Sequence, residues 1–263
     1  MFHKNTSILF FYSFLYLYIY RENTMKIKLL TLAVASLVSV NTLAVSIDYR
    51  HEMQDTAQAG HKDRLSISHR FANGFGLSSE VKWAQSSADK TPNKPFNEQV
   101  SNGTEVVASY VYKFNNVFSI EPGFSLESSS SNNNYRPYLR GRANVTDDLS
   151  VALRYRPYFK RNSGSINNTK GDSTMDKGYT LTGNIDYTFL KDYTIGYELE
   201  YKKGTSGKTI LSDNDDYDIT HNVKLSYKWD KNWKPYVEVG NVSGSETTDE
   251  RQTRYRVGVQ YSF

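Results

Sequence analysis

Apolar and polar residues alternate with a period of two along most of the chain after residue 44. The stretch 134–161 shows the alternation well, as two runs separated by the polar segment 145–148. In the second run, Leu149, Val151 and Leu153 share one face. A β-strand points successive side chains to opposite faces, so this stretch predicts a hairpin with one apolar and one polar face.

The same alternation predicts a fold made of strands, and no segment shows a sustained helical period. The twelve predicted strands are 45–53, 62–71, 75–85, 104–114, 117–127, 134–144, 149–161, 177–189, 193–203, 217–229, 233–242 and 253–263.

The predicted connections alternate strictly between short and long. The short ones are 72–74, 115–116, 145–148, 190–192 and 230–232, and the long ones are 54–61, 86–103, 128–133, 162–176, 204–216 and 243–252. Outer-membrane barrels show this asymmetry, with short periplasmic turns and longer external loops. A soluble β-sandwich also alternates, but it gives no reason to sort connections by length. We therefore predict an all-β fold, a twelve-stranded antiparallel transmembrane β-barrel over residues 45–263, in the outer membrane of a Gram-negative bacterium.

Two segments before the predicted barrel read as processing sequence. Residues 25–44, MKIKLLTLAVASLVSVNTLA, have the basic start, the short apolar core and the small residue before the cut that are typical of a signal peptide. Residues 1–24 include the apolar run ILFFYSFLYLYIY. That run is either a membrane anchor or sequence upstream of a misplaced start, and the complete signal peptide that follows favours the second interpretation.

Charge and cysteine content exclude some classes of protein. The chain has no cysteine, which excludes a disulfide framework and a thiolate metal site. Removal of residues 1–44 leaves 28 cations (32 minus 4) and 27 anions (28 minus 1), so the net charge falls from +4 to +1. Overall basicity therefore does not support a nucleic-acid partner.

Charge is unevenly distributed among the predicted strands. The sixth and seventh strands place six cations and no anion on their shared polar face: Arg136, Arg140, Arg142, Arg154, Arg156 and Lys160. An Arg that faces lipid at the bilayer centre costs roughly 2–4 kcal/mol, so six such cations would cost on the order of 10–20 kcal/mol. That is comparable with the whole stability of a domain, so this face is predicted to line the lumen.

A second basic group is predicted where the barrel closes, on the twelfth, first and second strands. Its members are Arg254, Arg256, Arg50, Arg64 and Arg70. In a barrel of twelve strands the two groups lie about half a turn apart and face each other across the lumen. Inward acidic residues could pair with these cations and fill the barrel. Twelve strands enclose more room than eight, which favours a basic-lined pore.

From residue 45 to 263 the chain resembles the oligogalacturonate-specific porins of the KdgM family, which are small monomeric channels related to the sialic-acid channel. The resemblance is carried by VSIDYRHEM after residue 44, RPYLRGR at 136–142, LRYRPY at 153–158 and YRVGVQYSF at the end. It implies a monomer in a bilayer with lipopolysaccharide, whose opposed Arg tracks pass acidic oligosaccharides released from pectin. It implies no cofactor.

Other functions remain open alternatives. Another acidic sugar, such as sialic acid, would suit the same basic lumen. A barrel enzyme would need a Ser-His pair, but His51, His69 and His221 are predicted to face outward and His61 to lie in a loop. The segment 212–218, SDNDDYD, lacks the Gly and closing Glu of a calcium loop, so we expect no metal. An adhesin would act through its external loops, of which 86–103 is the longest.

The signal-peptide interpretation predicts that the mature protein begins at Val45, directly after Thr42-Leu43-Ala44. N-terminal sequencing of protein extracted from outer membranes measures this directly. A mature form that retains residues 1–24 would show that the first segment is a functional part of the protein.

Overall fold

The structure, a computed structural model, describes residues 45–56, 59–86, 94–162, 175–207 and 209–263. The predicted signal peptide and the segment before it lie outside these residues. The strands are β1 (Val45–Gln54), β2 (Lys62–Arg70), β3 (Phe75–Gln85), β4 (Gln99–Tyr110), β5 (Tyr112–Lys113), β6 (Phe118–Ser128), β7 (Asn132–Asn144), β8 (Leu149–Asn162), β9 (Met175–Phe189), β10 (Tyr193–Gly204), β11 (Tyr217–Tyr227), β12 (Trp233–Ser243) and β13 (Arg251–Ser262).

These strands close into a single antiparallel barrel. Consecutive strands pair, except for β4 and β5, and β13 pairs with β1, for example through Tyr49 and Val259. Segments β4 and β5 are two parts of one barrel strand, because both pair with β6. They are separated at Val111, whose N–H donates to the Gly74 carbonyl of the β2–β3 turn at 2.9 Å. The barrel therefore has twelve strands, which confirms the predicted fold class.

One predicted boundary was wrong. Strand β4 begins at Gln99, where the alternation placed its start at residue 104. A β-bulge explains the error: Val81 pairs with Thr104 but Trp83 pairs with Ser101, so two residues of β4 face one of β3. Gly103 adopts a φ of 100°, which glycine tolerates without strain. The bulge breaks the period of two, so the sequence pattern assigned residues 99–103 to a loop.

The outer face of the barrel is apolar and exposed. Leu153 is 61% exposed, Val257 54% and Leu139 52%, and all three alternate with inward polar residues. Within the described residues only Ala59, Tyr158, Tyr236 and Val242 are buried hydrophobics. A water-soluble protein of this size would bury far more, whereas an outer-membrane barrel covers its apolar band with lipid. Within the same residues, no helix is long and apolar enough to span a bilayer.

Aromatic rings on the outer face form two levels. Near the short turns, Phe189 lies 5.6 Å from Tyr193, which lies 4.7 Å from Tyr227, measured between ring centroids. Toward the long loops, a row of tyrosines crosses β8 to β11 with centroid separations of 5.7, 6.3 and 5.8 Å: Tyr155, Tyr179, Tyr201 and Tyr217. Such girdles mark the two interfaces of the membrane.

Side-chain caps close the short turns. Asn115 Oδ1 accepts hydrogen bonds from the backbone N–H groups of Val117 and Phe118 at 2.8 and 2.7 Å. Asp230 Oδ1 accepts from Asn232 and Trp233, both at 2.7 Å, and these bonds lower the pKa of Asp230. Such local bonds replace the ladder bonds that a turn lacks, so the turns stay short and fix the register of the hairpins.

Candidate functional site: the charged lumen

The barrel register places the predicted basic residues on the inward face. Arg140 pairs directly with Arg154 across β7 and β8, and Arg50 pairs with Arg64 across β1 and β2. The apolar outer face alternates with these positions. The eleven inward residues are Arg50, Arg64, Arg70, Arg136, Arg140, Arg142, Arg154, Arg156, Lys160, Arg254 and Arg256. Their placement follows the prediction, but their partners divide them into two groups.

The basic group on β13, β1 and β2 is largely neutralised by carboxylates. Arg256 lies between two of them, with Nε 2.6 Å from Glu52 and Nη1 2.5 Å from Glu238. Arg64 forms ion pairs with Asp48 and, at 3.3 Å, with Glu80. Arg254 is held more loosely, because its Nε lies 3.9 Å from Glu52 while its Nη2 donates to Asn222 Oδ1 at 2.7 Å.

Ion pairs continue around the wall to β7. Lys82 Nζ lies 2.6 Å from Glu127, 3.4 Å from Glu80 and 3.5 Å from Glu105. Arg136 then contacts Glu105 at 2.7 Å and Glu127 at 3.0 Å. The inward residues from β12 through β1 to β7 thus form a compensated belt, in which most cations lie beside carboxylates. Pairing of this kind is expected in a confined space, where an isolated charge is expensive.

Three of the basic residues form ion pairs that are either solvent-exposed or long. Arg70 contacts Glu121 at 2.6 Å, but its side chain is 43% exposed. Arg140 lies 4.0 Å from the same carboxylate, and Arg156 lies 4.0 Å from Glu200. These long separations leave the two guanidinium groups free to approach another anion.

Four of the predicted residues form no ion pair with any residue that the structure describes: Arg50, Arg142, Arg154 and Lys160. Arg142 donates to Ser150 Oγ at 2.9 Å, and Arg154 donates to Thr182 Oγ1 at 3.2 Å. Hydroxyl groups orient a guanidinium without neutralising it. We call Arg142, Arg154 and Lys160, on β7 and β8, the uncompensated track.

Two members of this track, Arg142 and Lys160, line free space in the lumen. A cavity of about 500 Å³ at the external end is lined by Arg156, Lys160 and Lys202, among others. A second cavity of about 530 Å³ at the turn end is lined by Arg142 and Lys224, among others. Beside Arg50 and Arg64, a cavity measures only about 50 Å³. Room for a solute is therefore found beside the cations of β7 and β8.

Sequence analysis missed three inward lysines, Lys82, Lys202 and Lys224. Lys202 Nζ lies 5.6 Å from the centroid of the Tyr158 ring, and Lys224 Nζ lies 3.7 Å from that of Tyr236. Cations contact aromatic faces favourably at such distances. The period of two would have placed all three inward, but each is the single inward cation on its strand, so none formed a visible cluster.

Inward tyrosines lie flat against the wall because a glycine faces each of them. Tyr138 pairs with Gly123, Tyr158 with Gly178 and Tyr236 with Gly258. A Cβ added to Gly178 would lie 2.6 Å from Tyr158 Oη, and one added to Gly123 would meet the Tyr138 ring directly. Each ring thus occupies space that a side chain would otherwise fill, so it does not obstruct the lumen.

Three of the histidines lie on the outer face, as predicted. His51 Nδ1 lies 2.9 Å from Asp63 Oδ1, and its Nε2 lies 3.1 Å from His61. His69 packs on Phe71, and His221 bonds to the Tyr197 hydroxyl. The Phe96 ring lies 5.1 Å from that of His51, so this part of the predicted loop 86–103 packs on the outside of the barrel.

A closed antiparallel barrel with an apolar outside and a charged, cavity-containing lumen defines an outer-membrane channel of the porin class. The family model described as oligogalacturonate-specific porin protein (KdgM) matches residues 38–263. The chain belongs to this family, and the resemblance seen in the sequence is confirmed.

Individual relatives agree with this assignment. The oligogalacturonate-specific porin KdgM of Dickeya dadantii strain 3937 is 95% identical over 239 residues, 91% of this chain and 100% of the relative. An uncharacterised protein, YiiY of Salmonella typhimurium strain LT2, is 38% identical over 229 residues, 86% of this chain and 94% of that protein.

Solved structures show the same fold. A structure of the KdgM porin in complex with disordered oligogalacturonate is 75% identical, with a TM-score of 0.63, covering 83% of this chain and 99% of the other. The NanC porin is 19% identical with a TM-score of 0.69, covering 82% of this chain and 100% of the other. At that identity the likeness to NanC supports the fold alone.

The Gly123 and Tyr138 contact predicts how the width of the lumen is set. In Gly123→Ala the new Cβ should displace the Tyr138 ring into the lumen, so single-channel conductance in a planar bilayer should fall. In Gly123→Ala combined with Tyr138→Ala the conductance should return to the wild-type value or exceed it. An unchanged conductance in the single variant would contradict a wall-packed ring that keeps the pore open.

Proposed function

We propose that this porin lets acidic oligosaccharides, chiefly oligogalacturonates, diffuse through its lumen. The observation that carries the proposal is the uncompensated track beside the cavities of the lumen. The Dickeya relative, an oligogalacturonate-specific porin, and the structure of the KdgM porin in complex with oligogalacturonate support galacturonate over other acidic sugars. No feature of the lumen favours sialic acid specifically, although its carboxylate would suit the same cations.

The chemistry of the track fits a polyanion that must keep moving. Guanidinium groups bind carboxylates in bidentate geometry and can hand them from one group to the next. Arg142 and Arg154 are held by hydroxyl groups, which a carboxylate can replace without separating an existing ion pair. Each contact must be strong enough to admit the anion and weak enough to release it.

Neutral polar groups lie next to the track on β9. Thr180, Thr182 and Asn184 face inward and are register partners of Arg156, Arg154 and Ala152. Thr182 is 1% exposed and accepts a hydrogen bond from Arg154, so its role is to orient that guanidinium. Thr180 and Asn184 line the two cavities and can exchange hydrogen bonds with the hydroxyl groups of a sugar. The wall from β7 to β9 thus offers cations for carboxylates and neutral partners for the rest of a uronate.

Both basic groups are proposed to act on the substrate, but with different strength. Arg256 and Arg64 lie between carboxylates, so their main effect is to hold the compensated belt together. Arg254 and Arg50 are the members of that group with the weakest pairing or none. Together with the uncompensated track they form the two sides that a linear polyanion would meet.

Further proposals concern the surroundings of the barrel. We propose that the chain works as a monomer in a bilayer with lipopolysaccharide, that residues 25–44 are a signal peptide and that 1–24 lie upstream of the true start. We also propose that no chemical step accompanies transport. Membership of a porin family supports a channel over an enzyme or an adhesin.

The uncompensated track predicts the ion selectivity of the open channel. Arg142→Ser combined with Arg154→Ser should lower the ratio of anion to cation permeability severalfold, because these charges face the pore without a carboxylate beside them. Reversal potentials across a salt gradient in a planar bilayer measure the ratio. Heat-modifiable migration on a gel verifies that the barrel is intact.

Lys191→Ser combined with Lys231→Ser is the matched control for this measurement. It removes the same charge from the short turns 190–192 and 230–232, where exposed charges are screened within about 8 Å at physiological salt. A control variant that loses as much selectivity as the track variant would place the selectivity at the mouth and refute the proposed role of the track.

A further inference from the structure

Three cations lie on the outer face of the barrel at the loop ends of adjacent strands. Arg161 on β8 and Lys177 on β9 are exposed, and the side chain of Lys203 on β10 is 34% exposed. Phe159 pairs with Lys177 and Tyr179 pairs with Lys203. Each cation is therefore one diagonal step from the next, about 7–8 Å between positions on the sheet. We call these three residues the outer basic patch.

Elsewhere the outward loop ends differ from this patch. On β1, β2, β3 and β11 the corresponding described residues are Met53, Asp63, Trp83 and Ile219, none of which is a cation. Arg251 at the start of β13 is already engaged, because it donates to Asp218 Oδ1 at 2.8 Å and to Asn241 Oδ1 at 2.9 Å. At the loop ends of the described strands, the outward cations other than Arg251 are thus concentrated on β8, β9 and β10.

Tyrosines fix the depth of the patch in the membrane. Lys177 lies two residues beyond Tyr179, and Lys203 lies two residues beyond Tyr201, in the row of tyrosines described above. Two residues of a strand span about 7 Å. Tyrosine rings sit at the membrane–water interface, so cations two residues further out lie at the depth of the headgroup phosphates of the external leaflet.

Existing contacts leave the patch available for a ligand. Arg161 and Lys177 form no ion pair with the described part of the chain, and Lys203 Nζ contacts Asp216 at 2.9 Å. The Asp216 side chain is 50% exposed. An exposed pair of this kind is weak and screened by salt, so a phosphate can displace it.

From this arrangement we propose that the outer basic patch is a binding site for the phosphate groups of the glycolipid that forms the external leaflet. The three cations lie on adjacent strands at headgroup depth, where they can contact the phosphates of a headgroup. The outer surface below the tyrosines is apolar and can contact its acyl chains. The site lies outside the lumen and does not depend on the transported solute.

Native mass spectrometry of the purified mature protein in detergent tests the site. Bisphosphorylated lipid A is the probe, and the same lipid A without phosphates and phosphatidylglycerol are the comparison lipids. The variant Arg161→Gln, Lys177→Gln, Lys203→Gln should bind bisphosphorylated lipid A roughly tenfold or more weakly, since it loses three cations that attract the phosphates of an anionic headgroup. Its conductance and selectivity should match those of the wild type.

A matched variant, Lys191→Gln, Lys228→Gln, Lys231→Gln, removes three cations at the turn end and should bind lipid A as the wild type does. Equal losses in both variants would mean that net charge alone attracts the lipid and would overturn the proposal. Wild-type binding that is equally strong for dephosphorylated lipid A, or for phosphatidylglycerol, would overturn it too. The proposal is supported if the preference for bisphosphorylated lipid A over the two comparison lipids is lost only in the patch variant.

Discussion

A charged side chain cannot face the hydrocarbon of a bilayer without a large cost, and the architecture of this protein follows from that constraint. A strand in a barrel has only two faces, so lipid covers one of them and the charges at the depth of the hydrocarbon are turned to the other. Leu139 and Leu153 on the outside, and Arg140 and Arg154 on the inside, are alternate residues of the same two strands. The cost of exposing charge to hydrocarbon therefore keeps the outer face apolar and places the charged side chains in the lumen.

Charge in a narrow lumen has to be organised, and this barrel organises it unequally. From β12 through β1 to β7, carboxylates stand beside the cations, as Glu52 and Glu238 stand beside Arg256. On β7 and β8, Arg142 and Arg154 instead donate hydrogen bonds to the hydroxyl groups of Ser150 and Thr182. The first wall is nearly neutral, whereas the second retains its charge and borders the two larger lumen cavities. An anion entering the lumen meets one wall that attracts it. On the opposite wall, Arg50 has no ion pair among the described residues and Arg254 has only a long one, so these two cations remain available to the anion.

Much of this could be predicted from sequence because the period of two encodes both the strands and the direction of each side chain. Apart from β4, every strand begins and ends within two residues of its predicted limits. Several of the ion pairs could not be predicted, because they join residues on strands that are far apart in the sequence and are not hairpin neighbours. Lys82 on β3 reaches Glu127 on β6, and Arg136 on β7 reaches Glu105 on β4. Those contacts depend on the stagger between strands and on side-chain length. The alternation of residues within a single strand carries no information about either. The tyrosine and glycine pairs were missed for the same reason.

The central claim is that the two walls hold one polyanion together, and a double-mutant cycle on current block tests it most directly. Arg154→Ala and Arg254→Ala suit the cycle, because loss of Arg254 still leaves Glu52 paired with Arg256. Block of ion current by trigalacturonate should show a coupling energy of roughly 0.5–2 kcal/mol between the two substitutions, as expected for residues that share a partner. Block by monogalacturonate, which cannot bridge the lumen, should show none. Strictly additive effects on the trimer would contradict the account, because the two walls would then act independently.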